Sequence, residues 1–244
     1  MTDEAVRIAM WSGPRNLSTA MMRSWGQRPD TVVMDEPLYA AYLATTGLDH
    51  PGADEVIAAG PADPDAAIAA CFAPLPDGRT VSYQKHMAHH LSGDLSPEWD
   101  EPWWARLRHG MLLRDPQRVL ASYTDVREEV TLADIGLPQQ LELVERCEVV
   151  IDTADFLTAP AAYLELMCDR LGVRYEPAML SWPPGRRDTD GVWATYWYSS
   201  VEASTGFGPA PDGPPPVAPP HLAALAADAA EIYAELRRHA VVLG

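Results

Sequence analysis

Residues 6–27 read VRIAMWSGPRNLSTAMMRSWGQ, and no other stretch of the chain limits its fold as tightly. An apolar run over 6–10 ends in the turn residues Ser12, Gly13 and Pro14, and from Ser18 the apolar positions take up helical spacing, which predicts strand, loop, helix. A helix that starts this way offers unpaired backbone N–H groups and the positive end of its dipole. Ser18 and Thr19 add hydroxyl donors at that point, Arg15 adds a permanent charge, and the turn is suited to an anion. The loop also says which anion site it is not. A Walker A sequence needs a second Gly followed by Lys and Ser or Thr, whereas Gly13 is followed by Pro14-Arg15-Asn16-Leu17-Ser18-Thr19. A conventional ATPase or GTPase does not fit, and an ordinary strand-to-helix turn carrying a surface Arg is the plain alternative.

Charge sharpens the point. With 18 Lys and Arg against 35 Asp and Glu, the net charge is −17, which argues against a nucleic-acid surface and requires any anionic ligand to be held by a local group of arginines. Hydrophobic residues make up 47% of the 244, ample for a sizeable core in one domain spanning 1–244. The first thirty residues lack a signal-peptide pattern and no apolar run is long enough to span a membrane, so the expectation is a soluble, cytoplasmic protein without membrane partners. Cys71, Cys147 and Cys168 are odd in number and far apart, which fits reduced, mostly buried thiols better than disulfides or a zinc site.

Further short strands are predicted at 31–34, 81–85, 109–113 and 148–152, with helical patches around 39–43 and 66–71 and helices over 141–147, 161–171 and 221–242. The second strand ends at Asp35-Glu36-Pro37, carboxylates at the strand end where open α/β sheets bind ligands, although either acid could instead cap the next helix. The third strand runs into Lys85-His86-Met87-Ala88-His89-His90; no carboxylate or Cys lies at ligand spacing, so no metal is expected, and His86 or His89 has a pKa suited to a general base. The fourth strand delivers Arg114-Asp115-Pro116, with Asp115 placed to cap, Pro116 in the first helical turn, Val119 and Leu120 on the buried face and Ser122 eight residues after Arg114. After the fifth strand comes an acidic, aromatic turn, Pro160, a helix and Gly172 as its C′ residue. Residues 184–193, PGRRDTDGVW, place Arg186 and Arg187 ahead of Gly191 and Trp193, and Tyr196, Trp197 and Tyr198 extend an aromatic cluster.

The loop Pro14-Arg15-x-x-Ser18-Thr19 resembles the 5′-phosphosulfate loop of sulfotransferases that use 3′-phosphoadenosine 5′-phosphosulfate (PAPS), with Leu17 where that family usually has Gly. Arg114-x-Pro116 followed by Ser122 is similar to its 3′-phosphate motif, and 186–193 is similar to its closing Arg-Lys-Gly-x-x-Gly-x-Trp segment, with Asp188 in place of the first Gly. These motifs occur in family order. The resemblance implies a three-layer α/β/α fold around a central parallel sheet, like that of P-loop NTPases, with PAPS as co-substrate lying across the strand ends. It implies that Gly13, Pro14, Arg15, Asn16, Ser18 and Thr19 hold the phosphosulfate, and that Arg114, Ser122, Arg186 and Arg187 hold the 3′-phosphate. It also implies sulfuryl transfer to a hydroxyl or amine of a small molecule, with Glu36, or failing it His86, taking the proton, Arg15 stabilising the leaving group and Lys85 assisting at the transferring group. The acceptor pocket is expected from an insertion at 38–75, the loop at 86–105 and the aromatic cluster. A Pro-rich segment at 209–220 precedes the last helix, which either docks on the body or pairs two chains in a homodimer. Two other classes remain: a small-molecule or nucleotide kinase with a degenerate P-loop, and an inactive nucleotide-binding member of the fold.

Overall fold

A computed structural model describes residues 5–95, 101–123 and 130–243; residues 96–100 of the expected pocket loop lie outside it. Five strands, β1 (Val6–Ser12), β2 (Thr31–Asp35), β3 (Val81–Met87), β4 (Arg108–Leu113) and β5 (Val149–Asp152), form one parallel sheet in the order β2-β3-β1-β4-β5. All five were expected at these places. Side chains of β1 alternate between two separate apolar clusters, Ala9 and Trp11 in one and Ile8 and Met10 in the other, because successive residues of a strand point to opposite faces. Both faces are therefore covered by helices, and the architecture is a three-layer α/β/α sandwich.

Helix α1 (Ser18–Trp25) buries Met21, Met22 and Trp25 on one face of the sheet. It is followed by α2 (Tyr39–Thr46), α3 (Ala53–Ala59) and α4 (Pro64–Ala70), so the 38–75 insertion is a small helical unit. Helix α3 was not anticipated, and α4 starts two residues earlier than expected because Asp63 accepts the Ala66 N–H at 2.9 Å and Pro64 suits the first turn. Helix α5 (Pro116–Tyr123) is capped as expected, Asp115 accepting the Gln117 N–H at 2.8 Å. Helix α6 (Leu137–Leu143) begins four residues before the expected start, where Gly136 takes a left-handed turn and Pro138 opens the helix, and it finishes as a 3-10 turn at Val144–Arg146.

The short α7 (Thr153–Phe156) leads into α8 (Pro160–Arg170), which ends with Gly172 at φ +76° and the Val173 N–H on the Cys168 carbonyl at 2.9 Å. The one-turn helices α9 (Ala194–Trp197) and α10 (Ser199–Glu202) carry the aromatic cluster. The last helix, α11 (Ala223–Arg237), is shorter than the 221–242 expected and docks on the body: Ala226, Ala229 and Leu236 are buried against α5 and α6, Tyr233 donates its hydroxyl to Asp152, and Arg237 pairs with Asp155 at 2.5 Å. Among the described residues no helix is long and apolar enough to cross a membrane. Cys71, Cys147 and Cys168 are unbridged, and burial is the main reason that the Cys168 thiol is pushed up to about 11.

One face of the sheet holds a stack of four flat rings. Trp11 lies 4.5 Å from His86 and 5.7 Å from Trp104 between ring centres, and Trp104 lies 4.1 Å from His109. Trp11 donates its indole N–H to His109 Nδ1 at 3.1 Å, which leaves Nε2 to donate to the Trp104 carbonyl at 3.2 Å and fixes a neutral imidazole. Burial, reinforced by His109, pushes His86 down to about 3, and burial lowers His109 against the pull of the Trp104 carbonyl and Glu148. A His in the unfolded chain titrates near 6.5, so between that pH and about 3 the unfolded state binds the extra proton and stability falls as pH falls. Each such His contributes a slope of up to about 1.4 kcal/mol per pH unit. Urea midpoints are expected to drop steadily from pH 7.5 to pH 5, with a shallower slope in His86→Met; a midpoint constant over that range contradicts the neutral, buried stack.

Candidate functional site

The register of the sheet sets where the site lies. Ser12 pairs with Met87 on one side and Leu112 on the other, and Asp35 pairs with Lys85, so the loops after β1, β2, β3 and β4 emerge along one edge. A cavity of about 400 Å³ opens there, lined at one end by residues 14–20 and Arg114 and at the other by Glu36, Lys85 and a group of aromatic rings.

At the first end the loop after β1 sits hard against the chain at 135–136. A Cβ on Gly13 would lie 2.6 Å from the Ile135 carbonyl oxygen, an approach only glycine allows. Arg15 has φ +52°, an unusual conformation for a residue with a side chain, and this strained turn sends its guanidinium to Ser122, Nε donating to Oγ at 2.8 Å. Arg114 donates to the Arg15 backbone carbonyl. Asn16 serves as a strut: its Nδ2 donates to the Leu112 carbonyl at 3.0 Å and its Oδ1 accepts the Leu17 N–H at 2.7 Å. Helix α1 then opens at Ser18 with no side-chain cap on its first N–H groups.

Neither Arg15 nor Arg114 has a carboxylate partner within ion-pair distance among the described residues. Burial and the neighbouring charges of Arg15 and Arg118 press the Arg114 guanidinium below its ordinary value, with Asp115 only partly opposing them. Cations crowded in this way in an acidic protein are suited to an anion.

The other end is built on Lys85. Its three ammonium hydrogens are all engaged, by Asp35 Oδ1 at 3.0 Å, Glu36 Oε1 at 2.6 Å and the Tyr198 hydroxyl at 2.5 Å. Burial opposes the charge on Lys85, but Asp35 and Glu36 outweigh it and the ammonium is held well above its ordinary pKa. Glu36, at φ +44°, is the other non-glycine residue with positive φ among those described; its N–H donates to the Lys85 carbonyl at 2.9 Å and it lines the cavity. Burial, with the charge of Asp35, raises the Glu36 carboxyl against the lowering effect of Lys85. Neither acid caps α2, whose N-cap residue is Leu38.

His90 lies on the wall between Tyr39 and Tyr42, at 4.8 Å and 4.7 Å between ring centres, with Nε2 3.8 Å from Glu36 Oε2. Burial holds it well below its ordinary pKa, so it is neutral.

Of the residues singled out in the sequence, Pro14, Arg15, Asn16, Ser18, Thr19, Glu36, Lys85 and Arg114 line the cavity, with His89, Trp193, Trp197 and Tyr198. Gly13 and Ser122 support it from behind. His86 does not line it: one residue beyond Lys85 on a strand, it points to the opposite face, into the ring stack. Arg186 and Arg187 do not line it either. Arg186 is exposed, and Arg187 turns back on its own loop, donating to the carbonyls of Pro183, Gly185 and Arg186. That loop is instead fastened by Asp190, which makes a buried two-pronged pair with Arg23, and by the Gly191 N–H on Asp35 Oδ2 at 3.0 Å. Tyr39, His50 and His90 are cavity residues that were expected only as parts of the 38–75 and 86–105 segments, and Asp35 was read, with Glu36, as a strand-end carboxylate or a helix cap. The adjacent Asp35-Glu36 pair ahead of Pro37 was the available signal for the last of these.

The family model described as "Sulfotransferase domain" matches residues 6–239. Among solved structures, the sulfotransferase domain from the Synechococcus PCC 7002 olefin synthase superposes with a TM-score of 0.54 at 17% identity, covering 96% of each chain. The sulfotransferase domain from the curacin biosynthetic pathway gives 0.53 at 14%, covering 98% of this chain and 99% of that one. At such identities the likeness is one of fold. Two curated Arabidopsis thaliana proteins, branched-chain-amino-acid aminotransferase-like proteins 1 and 2, are 34% and 32% identical over 206 residues. The match covers 82% of this chain but 36% of each relative, so the chain spans about a third of their length. With the family model running from the first strand to the end of the last helix, the chain belongs to the sulfotransferase domain family.

Proposed function

We propose that the protein transfers the sulfuryl group of PAPS to a hydroxyl or amine of a small-molecule acceptor. The observation that carries this reading is the meeting of Arg15, Arg114 and Ser122 at the start of α1, at one end of a cavity whose other end presents Glu36. PAPS carries two anionic groups on one nucleotide, and the two arginines, which have no carboxylate partner among the described residues, suit both. Arg15, Ser18, Thr19 and the first turn of α1 take the phosphosulfate, and Arg114 with Ser122 takes the 3′-phosphate.

The step is an in-line displacement. The acceptor oxygen or nitrogen bonds to sulfur, the bond from sulfur to the bridging phosphate oxygen breaks, and the acceptor proton passes to Glu36. Arg15 and the helix N-terminus stabilise the negative charge that builds on the leaving oxygen, much as in phosphoryl transfer. A carboxyl raised by burial is a stronger base than an exposed one, which suits Glu36 to the proton transfer. Lys85, its donors already engaged, contributes through its field rather than through a hydrogen bond of its own. The aromatic walls from Tyr39, Trp193 and Trp197 favour an acceptor with an apolar body.

Thermal unfolding with 3′,5′-ADP at about a hundred times its Kd is expected to show a stabilisation of about 2.7 kcal/mol, several degrees for a chain of this size. A response to Mg-ATP and none to 3′,5′-ADP supports the kinase reading instead. Arg15→Ala is expected to lower kcat by about a hundredfold or more, on the scale of losing one transition-state donor. Turnover in that variant near the parent's removes Arg15 from the mechanism.

A further inference from the structure

Asp35 and Glu36 are neighbours in sequence and both touch Lys85, yet their surroundings differ. Asp35 is enclosed: Oδ1 accepts from Lys85 at 3.0 Å and from the Tyr198 hydroxyl at 2.8 Å, and Oδ2 accepts from the same hydroxyl at 2.7 Å and from the Gly191 N–H at 3.0 Å. Tyr198 is saturated as well. Its oxygen accepts from Lys85 at 2.5 Å and from the Trp193 indole at 3.2 Å while its proton goes to Asp35, and Lys85 lies 4.8 Å over its ring. Glu36 lines the cavity with one oxygen on Lys85 and the other, Oε2, 3.8 Å from His90 Nε2 and with no donor as close as those on Asp35.

Lys85 carries one positive charge and cannot neutralise two carboxylates. The closed partner is Asp35, and the open one is Glu36.

We propose that Asp35 and Tyr198 are positioning residues that draw Lys85 into a closed network, so that Glu36, which shares the ammonium at 2.6 Å, keeps part of its charge uncompensated at the acceptor end. This rests on the reading of Glu36 as the base. Its consequence is a division of work between two adjacent acids: without Asp35, Lys85 falls to Glu36 alone and weakens it as a base. The groups around Glu36 are Asp35 on β2, Lys85 on β3, Tyr39 on α2, His50 before α3, His90 after β3 and Tyr198 between α9 and α10. His90 is neutral and the Tyr198 hydroxyl is protonated, and the charges that act on the affinity of Glu36 for a proton are Lys85 and Asp35. Lys85 lowers it and Asp35 raises it.

The test is a pH titration of the Glu36 side-chain carboxyl by ¹³C NMR, in the parent and in Asp35→Asn and Tyr198→Phe, with the kcat/KM profile alongside. Asp35→Asn is expected to move the Glu36 midpoint down by about one pH unit, since a like charge is lost and Lys85 turns to Glu36. The acid limb of kcat/KM is expected to move with it and the plateau kcat to fall about tenfold, while the Kd for 3′,5′-ADP changes less than twofold. Tyr198→Phe keeps the ring and is expected to shift the midpoint the same way by less. A midpoint that stays put or rises in both variants overturns the inference, even if they are less stable. Glu36→Gln separates this from the parent reading: if it retains transfer and the acid limb, Glu36 is not the base and both fail, whereas loss of transfer in Glu36→Gln with unmoved midpoints in the other two leaves only the division of work in error.

Discussion

Five strands that run in the same direction bring all of their C-terminal ends to one edge, and every feature of the site follows from that edge. Parallel pairing of β1 with both β3 and β4 places β1 in the middle of the sheet, so the turn after Ser12 lies between the turn after Met87 and the one after Leu113. Three segments far apart in sequence then share one cavity, because each crossover through a helix returns the chain to the same edge. The cost is a sheet buried on both faces, which is why β1 and β3 have almost no exposed residues and why polar side chains on them, such as Lys85, His86 and Gln84, need internal partners.

Two electrostatic solutions to burial stand at opposite ends of that cavity. Around Lys85, opposite charges and hydroxyls close on one another and every donor of the ammonium is matched. Around Arg114, cations gather without an internal counter-ion among the described residues. The first arrangement matches its donors internally, and the second is suited to an anion from outside. Backbone strain marks each: Arg15 and Glu36 are the non-glycine residues at positive φ among those described, Glu36 directly after β2 and Arg15 in the loop after β1, and both line the cavity. Strain of this kind costs on the order of 1 to 3 kcal/mol per residue and persists where surrounding contacts over-determine it. For Arg15 those contacts are Ser122 and Arg114; for Glu36 they are Lys85 through its ammonium and its carbonyl.

Much of this was legible in the residues. The strands announced themselves as apolar runs, and the strand-to-helix turns at 13–19 and after Arg114 were legible because local sequence determines such a turn. The rest depends on partners distant in the chain. Asp35 looks like a helix cap when only its neighbours are considered, and its role appears only when Tyr198 and Gly191 are brought beside it. His86 carries a plausible base at the end of a strand, but the two-residue period of β3 sends it to the face opposite Lys85, whereas His90, on the 3-10 turn that follows, returns to the cavity. Helix α3 was missed because its Ala-rich sequence lacks a distinctive apolar face: Val56 is its buried residue. Arg186 and Arg187 show the limit of motif matching, since the loop that carries them is held by Asp190 and Gly191 and neither guanidinium enters the cavity.

The central claim is that one nucleotide spans the two arginines at the start of α1. A crystal structure of the protein with 3′,5′-ADP tests it most directly. The account predicts the 5′-phosphate on the N–H groups and hydroxyls of Ser18 and Thr19 beside Arg15, and the 3′-phosphate on Arg114 and Ser122, with the Glu36 end of the cavity open for an acceptor. A nucleotide seated elsewhere, or one that engages a single arginine with its second phosphate in solvent, contradicts it.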